Sequence, residues 1–179
     1  VPVADRAGVD SLHLDRPEEV AATDLDQPAG LLLAQGPDDR RMGPRQDPHS
    51  EYSAVIPLFV TKVLRGERPT IYGDGEQSRD FIYVGDVVRA NLAAASSASA
   101  AGEAINVACG AGTTVNGLLA AINGVLGTRV EARYAAARPG DILHSTADIA
   151  KAARLMGFAP DRSFEAGLAE TVAWYEKRS

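Results

Sequence analysis

The chain has 179 residues, 45% of them apolar and 23% charged, which suffices for one domain with its own core and is too short for two large ones. A formal net charge of −6 without a basic stripe argues against a nucleic-acid surface. The single cysteine, Cys109, excludes an intramolecular disulfide, and with three scattered histidines it leaves no zinc pattern. No apolar run approaches the ~18 residues that cross a bilayer, and the opening Val-Pro-Val-Ala-Asp-Arg lacks the basic and apolar regions of a signal peptide. A cytoplasmic protein without nucleic-acid or membrane partners is expected.

Composition changes near residue 43. Residues 1–51 hold no Phe, Tyr or Trp, whereas all ten aromatics lie from Tyr52 to Tyr175. Residues 1–41 carry nine Asp/Glu against four Arg, with little periodicity outside 29–34. Such a stretch buries too little apolar surface to offset its ordering entropy, so residues 1–42 are expected to be atypical and loosely ordered, with at most a short helix over 18–23.

From Ser50 onward the pattern firms. Ser50 suits the cap of a helix through Arg65, with Val55, Ile56, Phe59, Val63 and Leu64 inward and Gly66 as the stop. Pro57 fits only in its first turn. Residues 68–72 and 80–84 resemble short strands separated by a Gly-Asp-Gly turn. Asp86 is expected to cap a helix to about Ala95, and residues 104–108 to form a buried strand. Thr113 or Thr114 should cap the next helix, where Val115, Leu118, Leu119, Ile122 and Leu126 recur at helical spacing up to Gly127. Residues 129–134 alternate as a strand does. Residues 148–156 predict a short helix closed by Gly157, and Ser163 predicts the cap of a last helix with Phe164, Leu168, Val172 and Tyr175 on one face. Strands alternating with helices indicate an α/β or α+β domain.

Arg79 and Arg138 stand in Gly-punctuated loops after β-like runs, in Gly-Asp-Gly-Glu-Gln-Ser-Arg-Asp-Phe (73–81) and Arg-Pro-Gly-Asp (138–141). Two guanidinium forks so placed suit an anionic ligand, a diphosphate above all. Each has a plainer reading: Arg79 as a surface ion pair with Asp80, Arg138 as part of an ordinary turn, Tyr72 as a half-buried strand aromatic. Asn106 and Cys109 fit structural roles, the thiol lacking a nearby base or positive field. His49 and His144 fit surface positions, and His13 carries no signal. Asp24 with Asp26 and Asp38 with Asp39 fit solvated carboxylates better than metal ligands.

Gly-Pro-Arg-Gln-Asp-Pro (43–48), Val-Ile-Pro-Leu-Phe (55–59) and the run from Leu64 through Ile-Tyr-Gly-Asp-Gly-Glu-Gln-Ser-Arg-Asp-Phe-Ile-Tyr-Val to Asn91 resemble the C-terminal half of NAD-dependent nucleotide-sugar epimerases and dehydratases, the extended short-chain dehydrogenases. Ile-Asn-Val-Ala-Cys-Gly (105–110), Arg-Pro-Gly-Asp (138–141) and Glu-Thr-Val-Ala-Trp-Tyr (170–175) continue the likeness in order, over about residues 43–179, with UDP-glucose 4-epimerase-like enzymes the most similar. The resemblance implies an α/β fold: the nucleotide-sugar-binding portion of such an enzyme, with an incomplete Rossmann sheet. It also implies NAD as the cofactor of the intact enzyme, a UDP-sugar as ligand and an available homodimeric state. By the same resemblance Thr70 and Tyr72 match the strand whose backbone meets the uracil, and Val55 lies in a segment near that base. Arg79 and Arg138 match diphosphate ligands, and Asp141 matches a carboxylate on the ribose. A dehydratase or decarboxylase of the family would use a similar half.

Three features depart from that pattern. The Gly-rich turn that receives the pyrophosphate of NAD is missing, since Gly73-x-Gly75 runs into Ser78 and Gly110-x-Gly112 into Val115. None of Tyr52, Tyr72, Tyr83, Tyr134 and Tyr175 has Lys four residues on, the pairing the family uses as its base. Before Gly43, where the family shows an aromatic-Asn-Val-Tyr run, stands Asp-Arg-Arg-Met (39–42). Tight NAD binding is therefore not expected, nor activity alone. The break at Met42 suggests a shifted reading frame or misjoined gene, which the upstream nucleotide sequence would test. If the helix from Asp86 and residues 104–108 belong to a larger sheet in the family, their apolar faces should be uncovered here.

Overall fold

The computed structural model describes residues 40–46 and 55–178. The expected helix at 18–23, the Ser50 cap, and His13, His49, Asp24, Asp26, Asp38 and Asp39 lie outside the described residues.

Among the described residues, seven strands and five α-helices follow in chain order, with a short 3-10 turn at Ala98–Ala100: β1 (Arg41–Met42), α1 (Val55–Leu64), β2 (Thr70–Tyr72), β3 (Ser78–Arg79), β4 (Ile82–Tyr83), α2 (Val84–Ser96), β5 (Thr113–Thr114), α3 (Val115–Leu126), β6 (Arg133–Ala135), β7 (His144–Ser145), α4 (Ala150–Met156) and α5 (Phe164–Glu176). The strands form three small sheets. β1 pairs in parallel with β4, and β2 in parallel with β6, Thr70 opposite Arg133 and Tyr72 opposite Ala135. β3 lies between β5, antiparallel, and β7, parallel, so that Arg79 faces Thr113 on one side and Ser145 on the other.

Local chemistry sets the helix ends. Pro57 falls in the first turn of α1, where its missing N–H costs nothing. The Thr114 hydroxyl accepts from the Gly117 N–H at 3.0 Å and Ser163 from the Ala166 N–H at 3.2 Å, so Thr114 caps α3 and Ser163 caps α5. Gly127 at φ 65° and Gly157 at φ 60° close α3 and α4 in the left-handed conformation.

Two apolar clusters result. In the first, Ile56, Val60 and Phe59 of α1 meet Leu118, Leu119 and Ile122 of α3 and Leu168 and Val172 of α5. Ile71 of β2 joins it, as do Phe81 and Val115, which follow β3 and β5, and the Phe81 and Phe164 rings stack at 5.9 Å. Met42 is fully buried there, and the Tyr175 hydroxyl donates to the Gln46 carbonyl, so residues 40–46 pack with the domain although the composition breaks at 43. The second cluster joins Ile82, Val87, Ala90, Ala100, Ile105, Ala152 and Phe158 around α2 and α4.

Several expectations require correction. Residues 104–108 join no ladder among the described residues: Ile105 and Ala108 are buried, but the backbone pairs with no strand, and a strand needs a partner as well as a pattern. The strand expected over 129–134 is Arg133–Ala135, because the Asn123 side chain takes both the N–H and the carbonyl of Val130, at 2.9 Å each, out of ladder pairing. Of the strand expected over 80–84 only Ile82–Tyr83 forms, as β4; β3 lies just before it at Ser78–Arg79, and Val84 already opens α2. Asp86 does not cap its own helix. Tyr83 holds that position, and the Asp86 carboxylate, inside the first turn and 2% exposed, accepts from the backbone N–H groups of Asp161 and Arg162 at 3.2 and 3.1 Å. A cap-forming residue type served a remote loop instead. The apolar face of α2 is uncovered as anticipated, with Val84, Val88 and Leu92, at i, i+4 and i+8, exposed, but that of residues 104–108 is not, since Ile105 and Ala108 are buried.

Candidate anion-binding site

Ser78, Arg79 and Asp80 sit in an extended stretch, so their side chains alternate in direction. Arg79 is buried. Its Nη2 donates to Asp141 Oδ1 at 2.6 Å, and its Nη1 to the carbonyls of Ile142 at 2.7 Å and Ser78 at 3.0 Å. The adjacent Asp80 is not its ion-pair partner; that reading fails because neighbouring side chains on a strand diverge. Asp80 instead accepts from the N–H groups of Cys109 at 2.8 Å, Gly110 at 2.9 Å and Ala147 at 3.2 Å.

Arg138 lies in the exposed turn before Asp141, closed by Asp141 N–H donating to the Arg138 carbonyl at 3.2 Å, with Gly140 at φ 80°. Its guanidinium stands 3.9 Å from the centroid of the Tyr72 ring, an attractive cation–π geometry. The turn at 138–141 therefore touches both β3, through Asp141, and β2, through Arg138. The two strands are tied a second time, because Gln77 Nε2 donates to the Tyr72 carbonyl at 2.7 Å.

Of the residues singled out in the sequence, Arg79 and Asp141 meet directly, as do Arg138 and Tyr72. Thr70 is half-buried at the start of β2, opposite Arg133. Val55 opens α1 and packs against the first cluster. Arg79, Arg138 and Asp141 thus stand in one loop cluster, whose guanidinium forks suit an anion with accepting oxygens.

Sequence reasoning missed Gln77, the Ile142 carbonyl, the contact of the Ser78 hydroxyl with His144 Nδ1 at 3.1 Å, and the role of Asp80. A signal for Asp80 existed: the Cys-Gly-Ala-Gly turn presents backbone N–H groups that need an acceptor. His144 is exposed, as its surface reading held. A separate cleft of about 380 Å³ has Phe81, Thr113 and Phe164 among its walls, together with Cys109. Burial first, then the Asp80 and Asp86 charges, push that thiol up to about 11, which suits a packed residue and not a nucleophile.

Fit to a dinucleotide can be judged at the strand–helix junctions. β4 runs into α2 and β5 into α3 with no intervening loop, and the first turn of α2 holds the buried Asp86 carboxylate. A pyrophosphate needs a glycine-lined loop and free N–H groups there. The described residues do not fit it. They also contain no group of three or more potential metal ligands, and no helix among them is long and apolar enough to cross a membrane.

The fold is an α/β portion whose solved structural neighbours are extended short-chain dehydrogenase epimerases. Residues 40–108 match the model of the NAD dependent epimerase/dehydratase family. A putative UDP-glucose 4-epimerase of Methanocaldococcus jannaschii is 39% identical over 137 residues, 76% of this chain and 43% of that protein. A UDP-N-acetylglucosamine 4-epimerase from Methanobrevibacter ruminantium, solved with UDP-N-acetylmuramic acid, superimposes with a TM-score of 0.72 at 47% identity, over 78% of this chain and 44% of that one. The UDP-glucose 4-epimerase of Thermotoga maritima, solved with UDP-glucose, gives 0.73 at 42% identity, over 77% and 44%. The chain belongs to the NAD-dependent epimerase/dehydratase family, as a partial, C-terminal-like portion spanning under half the length of these relatives.

Proposed function

We propose that this chain supplies the nucleotide-sugar anchor of an NAD-dependent sugar-nucleotide 4-epimerase, with a UDP-sugar as ligand. The observation that carries the reading is the joining of Arg79, Asp141, Arg138 and Tyr72 by one turn. A diphosphate accepts from guanidinium groups, and a partly exposed carboxylate accepts from ribose hydroxyls. In this reading Arg79 and Arg138 hold the diphosphate and Asp141 the ribose, with Thr70, Tyr72 and Val55 near the base. Solved relatives that carry UDP-sugars support it. NAD is the cofactor of the family, but the residues described here offer it no seat, and no hydride or proton transfer is assigned to them.

The test is calorimetry of the full 179-residue chain with UDP-glucose. Binding is expected, without conversion of UDP-galactose to UDP-glucose when NAD is added. Arg79→Ala should weaken binding about 10- to 100-fold, the worth of a charge-assisted hydrogen bond. The more exposed Arg138→Ala should weaken it on the order of several-fold. A folded wild-type chain giving no heat with UDP or UDP-glucose overturns the reading.

A further inference from the structure

Asp80 has a side chain 1% exposed, and its three recorded hydrogen bonds come from backbone N–H groups rather than from a cation. A buried carboxylate so arranged is costly unless every donor is held in place. The donors come from two segments far apart in sequence. Oδ1 takes the Cys109 N–H and Oδ2 that of Gly110, in the turn leading to β5; Oδ2 also takes that of Ala147, two residues after β7. β5 and β7 are the two neighbours of β3, the strand that carries Arg79. Gly110 presents its N–H from φ 72°, a conformation a side chain would strain. The chain entering β7 also supplies Asp141 and Ile142, which seat the Arg79 guanidinium.

We infer that Asp80 is a positioning residue for the anion site: by holding both flanking strands against β3 it fixes where the Arg79 guanidinium points. The inference rests on the proposed nucleotide-sugar reading and deepens it. Asp86 provides an internal control. It is likewise buried and gathers backbone N–H groups, those of Asp161 and Arg162, together with the Arg89 guanidinium at 2.5 Å, all outside the β5–β3–β7 sheet. A purely structural role predicts that removing either charge affects stability and leaves binding by the folded chain alone; a positioning role singles out Asp80.

The experiment is calorimetry with UDP-glucose on the full chain and on Asp80→Asn, Asp86→Asn, Arg79→Lys and the Asp80→Asn/Arg79→Lys pair, with melting followed by circular dichroism. Both Asn variants should lower Tm. Asp80→Asn should weaken binding at least about 10-fold, as loss of an outer support does elsewhere, whereas Asp86→Asn should stay within about twofold. If Asp80 acts through Arg79, the double variant should bind about as poorly as Arg79→Lys alone. Should Asp80→Asn not fold, Gly110→Ala, which disturbs one donor, should still weaken binding several-fold. Unchanged affinity in folded Asp80→Asn or Gly110→Ala, equal losses in Asp80→Asn and Asp86→Asn, or multiplying losses in the pair, would each overturn the inference while leaving the nucleotide-sugar reading intact. A folded wild-type chain that ignores UDP-glucose overturns both.

Discussion

The α1–α3–α5 side and the α2–α4 side of the molecule bury their apolar residues to different depths. In the first, Ile56, Leu118, Ile122, Leu168 and Val172 interlock with no exposure at all. In the second, the fully buried residues are the small Ala90 and Ala152, while α2 leaves Val88 53% and Leu92 66% exposed. The first side closes on itself and the second does not. The anion cluster is mounted on the closed side: Ile71, Phe81 and Val115, each one to three positions from a residue of the cluster or its sheet, are anchored in the first core. Rigid support therefore lies under the arginines, and the incompletely packed helix lies elsewhere.

The contrast predicts unequal costs for the same substitution. Leu168→Ala removes a fully buried side chain and should cost about 2–5 kcal/mol by urea unfolding, whereas Leu92→Ala should stay within about 0.5 kcal/mol. A comparable loss at Leu92 would mean that α2 is covered in solution, and the contrast would break. The second prediction sharpens the same point. An apolar stripe of this kind promotes association, so the wild-type chain should self-associate at rising concentration in sedimentation velocity. The pair Val88→Asp and Leu92→Lys should reduce that association with little change in Tm. A wild-type chain that stays monomeric and melts with high cooperativity would show that the stripe has no such effect.

Sequence made the first core and the arginines legible, and for physical reasons. α3 and α5 are capped by side chains at the positions their residue types suggest, and their buried residues recur at helical spacing. Arg79 and Arg138 were visible because they sit in Gly-marked loops. What was hidden depends on contacts between distant segments. Asp80 and Asp86 look in sequence like an ion-pair partner and a helix cap, yet each serves backbone N–H groups 29 to 76 positions away. Residues 104–108 carry a strand's pattern, but pattern does not supply a neighbour. The Arg138–Tyr72 contact likewise needs β2 and the turn at 138–141 to meet, which no local rule specifies.

A loss smaller than that of Leu168→Ala is expected where the two sides touch. Tyr83, which leads from β4 into α2, donates its hydroxyl to Glu170 Oε2 of α5 at 2.5 Å, and Arg162 pairs with the other oxygen of Glu170 at 2.9 Å. The hydrogen bond to Glu170, then burial, then the Glu170 charge hold the phenol's pKa above the usual tyrosine value of 10.0. The folded chain thus binds this proton more tightly than the unfolded one. The stabilisation is complete below the unfolded pKa and fades as pH rises through the higher folded one. At pH 8, Tyr83→Phe should cost about 0.5–1.5 kcal/mol, the net worth of one hydrogen bond. Glu170 is partly exposed, so water can replace the lost donor and keep the cost near the lower figure. As the phenol deprotonates above about pH 10 the bond disappears from the wild type as well, and the two proteins should converge in urea unfolding. A stability gap that stays constant from pH 8 to the alkaline limit would show that Tyr83 joins the two sides by packing alone, under the Arg162 guanidinium 5.5 Å from its ring.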